Sequence, residues 1–83
     1  MNEQEIARLE TIIKKTNRNH NISDLHSFTI KITSGIAFVD CYGDYILIDV
    51  RTTEGEYKTR IADEHSAAVL LNKMNADINS IEM

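Results

Sequence analysis

FTIKITSGIAFVDCYGDYILIDVRTTEGEYKTRIA, residues 28–62, decides the fold. Phe28, Ile30 and Ile32 alternate with Thr29 and Lys31; Ala37, Val39 and Cys41 alternate with Phe38 and Asp40; Ile46, Ile48 and Val50 alternate with Leu47 and Asp49. A period of two marks strands with one face buried. Three dipeptides, Ser34-Gly35, Gly43-Asp44 and Glu54-Gly55, cut the run into four pieces. Glycine beside a short polar residue is the chemistry of a hairpin turn, so the segment predicts a four-stranded antiparallel meander.

Directly opposed residues in a hairpin share a face, and a one-residue slip would flip every side chain, so the register can be tested on the sequence. Two-residue loops centred on the dipeptides set Ile32 opposite Ala37, Ile30 opposite Val39 and Phe28 opposite Cys41. The second turn sets Cys41 opposite Ile46, Val39 opposite Ile48 and Ala37 opposite Val50; the third sets Ile48 opposite Ile61, Val50 opposite Thr59 and Thr52 opposite Tyr57. All three turns agree on one core face. A loop of odd length at the third turn would drive Lys58 and Arg60 inward, so an even loop is expected there.

On either side of this segment the apolar period lengthens to that of a helix. Ile6, Leu9 and Ile13, with Ile12 beside them, predict an amphipathic helix over 3–17, opened by an Asn2/Glu5 capping box. Lys14, Lys15 and Arg18 complement the negative end of its dipole. The polar stretch from Asn17 to Asn21 takes the chain out of the helix, and Ser23 or Asp24 caps a short turn before the sheet. After the sheet, Asp63 is placed to cap a second helix running from 64 to 76 or beyond, with Ala67, Leu71, Met74, Ile78 and Ile81 as its stripe, widened by Leu70. The fold class expected is α+β: an N-terminal helix, a four-stranded antiparallel meander sheet and a C-terminal helix, both helices packed on one sheet face, in a single domain over 1–83. Its core is Ile6, Leu9, Ile13, Phe28, Ile30, Ile32, Val39, Ile46, Ile48, Val50, Ile61, Leu71 and Met74.

Composition bounds what such a domain can do. With 42% hydrophobic and 27% charged residues, the chain has the balance of a globular protein. Its net charge of −4 divides into roughly +1 over 1–21, −2 over 22–53 and −3 over 54–83. No basic stripe runs along it, which argues against binding duplex nucleic acid through phosphates. The single cysteine excludes an internal disulfide and a Cys/His zinc site, and suits a reducing compartment. The acidic opening MNEQEIARLE is no signal peptide, and no apolar run reaches membrane-spanning length, so a cytoplasmic protein is expected. Abundant Ile, Asn and Lys, with no Pro or Trp, fit a low-GC bacterium or one of its phages.

If the helices take one face of the sheet, the other carries Thr29, Lys31, Thr33, Ile36, Phe38, Asp40, Tyr42, Tyr45, Leu47, Asp49, Arg51, Thr53, Glu56, Lys58 and Arg60. Phe38, Tyr42, Tyr45 and Leu47 cluster on the two central strands, with Tyr42 opposite Tyr45, Phe38 opposite Asp49 and Leu47 opposite Asp40. Cross-strand aromatic pairs stabilise sheets by themselves, by a few tenths to about 1 kcal/mol each. Contiguous exposed apolar surface rimmed by charge marks a partner site more often, and aromatics with arginine are enriched at interface hot spots. The candidate partner-binding residues are therefore Ile36, Phe38, Tyr42, Tyr45, Leu47 and Arg51, facing a protein partner or a second copy in a homodimer. Bases stacking on the rings, with Lys31, Arg51, Lys58 and Arg60 along the backbone, would make the face a single-strand nucleic-acid binder, and Asp40 and Asp49 in its middle oppose that.

Catalytic chemistry finds no support. His20, His26 and His65 lack metal-ligand spacing, Cys41 falls on the core face without an activating base, and Asp40, Asp44 and Asp49 have no cleft to raise a pKa. No catalytic residue, cofactor or metal is expected. The function expected is a non-enzymatic protein-interaction domain; the alternatives are a small single-stranded nucleic-acid-associated protein and an accessory subunit of an enzyme. In size, acidity and layout the chain is similar to small phage- or mobile-element-encoded inhibitors, including some anti-CRISPR proteins, a resemblance of layout carried by no motif.

Overall fold

A computed structural model describes residues 3–18 and 26–82. The elements in chain order are α1 (Glu3–Arg18), β1 (His26–Ile32), β2 (Gly35–Cys41), β3 (Ile46–Thr52), β4 (Gly55–Ile61), α2 (Glu64–Lys73) and β5 (Asp77–Glu82). The four meander strands pair as consecutive antiparallel neighbours, and β5 adds to the far side of β1, giving a five-stranded sheet ordered β4-β3-β2-β1-β5. Both helices lie on one face and pack against each other, α1 over β1 and β2, α2 over β3 and β4. No helix among the described residues is long and apolar enough to cross a membrane.

The core is the intersection of the two periodicities. Ile6, Leu9 and Ile13 from α1 and Ala67, Ala68 and Leu71 from α2 close over Phe28, Ile30, Ile32, Ala37, Val39, Cys41, Ile46, Ile48 and Val50. Ile61 and Met74, expected inside, pack against this cluster only half-buried. Both lie at its margin, where the helices no longer cover the sheet. Alanines at 67 and 68 let α2 sit close to its neighbours.

Four strands become five because the second helix ends early. Asp63 caps its start as expected, its carboxylate accepting from the Ser66 amide at 2.7 Å. At the other end Asn75 adopts φ 57° and the chain closes in a Schellman arrangement: the Ala76 amide donates to the Leu71 carbonyl (3.1 Å) and the Asn75 amide to the Asn72 carbonyl (3.0 Å). Asparagine tolerates the left-handed conformation, so the break falls there. Ile78 and Ile81, predicted to continue the helical stripe, instead lie half-buried on β5. Their spacing of three fits a strand because β5 is irregular, pairing Thr29 with Glu82 but Lys31 with Asp77. At about 1.5 Å per residue, the ten-residue α2 spans most of the roughly 19 Å between β4 and β5, and so carries the chain from one sheet edge to the other.

Two of the three registers differ from expectation by two residues, which preserves every face. At the second turn Cys41 pairs with Ile46, as predicted. At the first, Ile32 faces Gly35 and Ile30 faces Ala37; at the third, Thr52 faces Gly55 and Val50 faces Tyr57. The loops there are Thr33-Ser34 and Thr53-Glu54, each one residue before the glycine dipeptide's centre. Ser34 supplies the positive φ (64°), while Gly35 lies in the strand so near β3 that a Cβ would collide with the Arg51 carbonyl oxygen. Gly35 thus permits close approach instead of making the turn. At the third turn the Thr52 hydroxyl accepts from the Glu54 amide and donates to the Gly55 carbonyl, both at 3.1 Å, which holds the loop to two residues. The Asn2 cap, the Ser23 or Asp24 turn and His20 lie outside the described residues.

Candidate functional site

On the sheet face opposite the helices, rows of side chains run across the strands. One row is Thr29, Phe38, Asp49 and Lys58; the next is Ser27, Asp40, Leu47 and Arg60; a third is Lys31, Ile36, Arg51 and Glu56. The six candidate partner residues all fall on this face: Ile36, Phe38, Tyr45 and Leu47 half-buried, Tyr42 and Arg51 exposed. The expected pairs Tyr42–Tyr45, Phe38–Asp49 and Leu47–Asp40 are present. Thr33 and Thr53, assigned to the face from the sequence, belong to the turns.

The rings are held in a fixed arrangement. Tyr42 and Tyr45 flank the second turn, joined by a bond from the Tyr42 amide to the Tyr45 carbonyl (3.0 Å), and their rings stack with centroids 4.8 Å apart at 16°. The Arg60 guanidinium lies over Tyr45 at 4.0 Å and that of Arg51 over Phe38 at 5.2 Å, cation–π contacts that leave the charged edges facing solvent. Arg51 is further oriented by the carboxylates of Asp49 (3.4 Å) and Glu56 (3.9 Å). Between the rings, Asp40 is held above the usual carboxylate range, first by desolvation, then by the Asp49 charge, with Lys58 opposing. Beside Ile36 the bulge of β5 opens a shallow recess of about 280 Å³ that includes Lys31, Asn79 and Ser80, where the Ser80 hydroxyl accepts from the Lys31 amide at 2.8 Å.

Other reactive groups are accounted for by structure. Burial, with the charges of Asp40 and Glu64, pushes the Cys41 thiol up to about 11, which leaves it neutral. His65 is exposed and meets Glu10 across the helix pair (Nδ1 to Oε1, 2.6 Å); Glu10 also bonds Lys14 (2.8 Å), and these two contacts, Lys14 first, hold its carboxyl below the usual range. Among the described residues no group of three His, Cys, Asp or Glu side chains is placed to hold a metal.

Three features escaped the sequence reading. Asn17, read as part of a polar exit segment, is buried at 5% exposure; its Nδ2 donates to the Gly43 carbonyl (3.1 Å) and Glu64 (3.2 Å), and its Oδ1 accepts from the Gly43 amide (2.8 Å). Its position four residues after Ile13, on the apolar stripe, was the available signal. The Glu10–His65 pair joins residues far apart in the chain and left no local trace. Tyr57 points to the helix face as predicted, yet stays 51% exposed because β4 runs beyond the cover of α2. No family model, curated protein or solved structure matches the chain.

Proposed function

We propose that the chain is a non-enzymatic interaction module of the cytoplasm that docks a protein partner on its open sheet face through Ile36, Phe38, Tyr42, Tyr45, Leu47 and Arg51. The observation that carries this reading is the fixed aromatic and aliphatic cluster around Phe38, Tyr45 and Leu47, capped by two arginines and left uncovered by either helix. Rigid aromatics bury much area at little entropic cost, and arginine adds directional hydrogen bonds, the combination found at interface hot spots. A small inhibitor that occludes a surface of a larger protein is the form of this reading that requires no chemistry of its own. Nucleic acid suits the face less well, since arginines already cover two of the ring faces and the Asp40–Asp49 pair would repel a phosphate chain.

The test uses the wild type and a Phe38→Asp/Tyr45→Asp variant as parallel baits in bacterial lysate, with the fold of each checked by circular dichroism. A protein captured by the wild type and lost with the folded variant supports the reading. Equal capture by both removes the face as the site.

A further inference from the structure

The outer edge of β4 differs from every other edge of the molecule. At the opposite end of the sheet, β5 is bulged, and a bulge resists further pairing. β4 is a regular seven-residue strand with no neighbouring strand beyond it among the described residues. The direction of its free groups follows from the ladder. The Thr53 amide donates to the Ser34 carbonyl in the β2 direction, so Thr52 bonds towards β4, and its partner Gly55 bonds back. By alternation Tyr57, Thr59 and Ile61 also bond to β3, while the amides and carbonyls of Glu56, Lys58 and Arg60 point outward.

An antiparallel pairing of this edge with itself must match outward groups with outward groups, which excludes every register of odd step. Of the even registers, one sets Glu56 against Glu56, another Lys58 against Lys58, and a third Lys58 against Arg60; a step further out on either side, Glu54 meets Glu56 or Arg60 meets Arg60. The register with Tyr57 on the two-fold axis sets Glu56 against Lys58 of the second copy twice and brings Glu54 at the turn to Arg60 twice. All four charged pairs are then opposite in sign. On the helix side the two Tyr57 rings, each 51% exposed in the single chain, meet in a non-hydrogen-bonded pair where side chains come closest. Lysine on an edge strand ordinarily repels pairing; here each neighbouring even register places at least one like-charged pair face to face, and this one places none.

We propose that two copies of the chain associate through β4 in this register, forming one continuous ten-stranded sheet with two-fold symmetry. The two open faces then lie side by side on the same surface, and their docking clusters are presented as a pair. The contact uses the strand edge and not the open face, so it stands or falls separately from the partner reading.

Sedimentation equilibrium over a concentration series is the first measurement, with a species of twice 9.5 kDa expected for the wild type. Glu56→Lys and Lys58→Glu should each be monomeric alone, dimerise when mixed in equal amounts, and dimerise as the double variant Glu56→Lys/Lys58→Glu. Lys58→Glu also brings a third acid beside Asp40 and Asp49, so amide exchange in the unmutated chain supplies an independent readout. The Glu56 and Lys58 amides should slow as concentration rises, while the Gly55, Tyr57 and Thr59 amides, already bonded to β3, change little. A wild type that stays monomeric, a dimer with no concentration-dependent protection at Glu56 and Lys58, or a dimer abolished by Phe38→Asp/Tyr45→Asp but retained by Lys58→Glu would overturn the proposal.

Discussion

Ile48 and Leu47 are neighbours on β3, similar in size and apolarity, yet they live in different environments. Ile48 points under the helices and is fully buried, while Leu47 points to the open face and is half-covered by Asp40, Arg60 and the flanking rings. The two faces of one sheet are thus stabilised by different physics. The helix side removes aliphatic surface from water and closes into a packed core, whereas the open side is built of cross-strand ring, cation and carboxylate contacts that remain wet. The fold draws little from the second, which leaves that face free for the docking proposed above.

Ile48→Ala tests the comparison most severely. It removes side-chain volume from a packed interior and should cost about 2 to 5 kcal/mol, against a total of roughly 4 to 12 kcal/mol for a chain of this length. Leu47→Ala should cost under about 1 kcal/mol. Equal losses for the two in denaturant melts would show that the open face is part of the core.

Asn17→Ala should rank next, at about 1 to 3 kcal/mol, because it strips the Gly43 amide and carbonyl of their partners at a buried junction between α1, the β2–β3 turn and the start of α2. Its loss should also speed amide exchange at Gly43. A variant as stable as wild type would mean that water replaces the side chain without penalty.

On the open face the prediction changes sign. Asp40 titrates above the ordinary carboxylate value of 3.8 in the folded chain, so the folded state binds the proton more tightly than the unfolded state and loses stability as pH rises through that window. Asp40→Asn should therefore be more stable than wild type at neutral pH, by under about 1 kcal/mol because the site is largely solvent-screened, and the gain should vanish below both pKa values. Paired melts at neutral and acidic pH check this; an Asp40→Asn variant less stable than wild type at neutral pH would count against the desolvation account. Of similar size, Arg60→Ala removes the guanidinium from Tyr45 and should cost about 0.5 to 1 kcal/mol, with a change in tyrosine fluorescence as the readout.

The alternation over 28–62 was enough to sort side chains between the two faces, and the sorting survived two register errors because each was a slip of two residues. A slip of one would have exchanged the faces. The glycines misled the turn placement: near each of two turns a glycine was read as the turn itself, when Gly35 serves close strand approach and Thr52 sets the length of the third loop. The fifth strand was hidden for a related reason, since Ile78 and Ile81 keep the helical rhythm of the residues before them. Asn72, Asn75, Asp77 and Asn79 were the local warning.

By itself, then, the sequence determined period, face and the presence of both helices, because these depend on residues a few positions apart, where backbone geometry dictates which side chains align. Tertiary structure alone decided that the chain after Lys73 joins β1 as β5, that Asn17 clasps Gly43, that Glu10 meets His65, that Tyr57 stays exposed, and that β4 has no further strand beside it among the described residues. Each of these is settled by how far a ten-residue helix reaches across a sheet and by which backbone groups still lack a partner once the core has closed, and a local pattern carries no record of either.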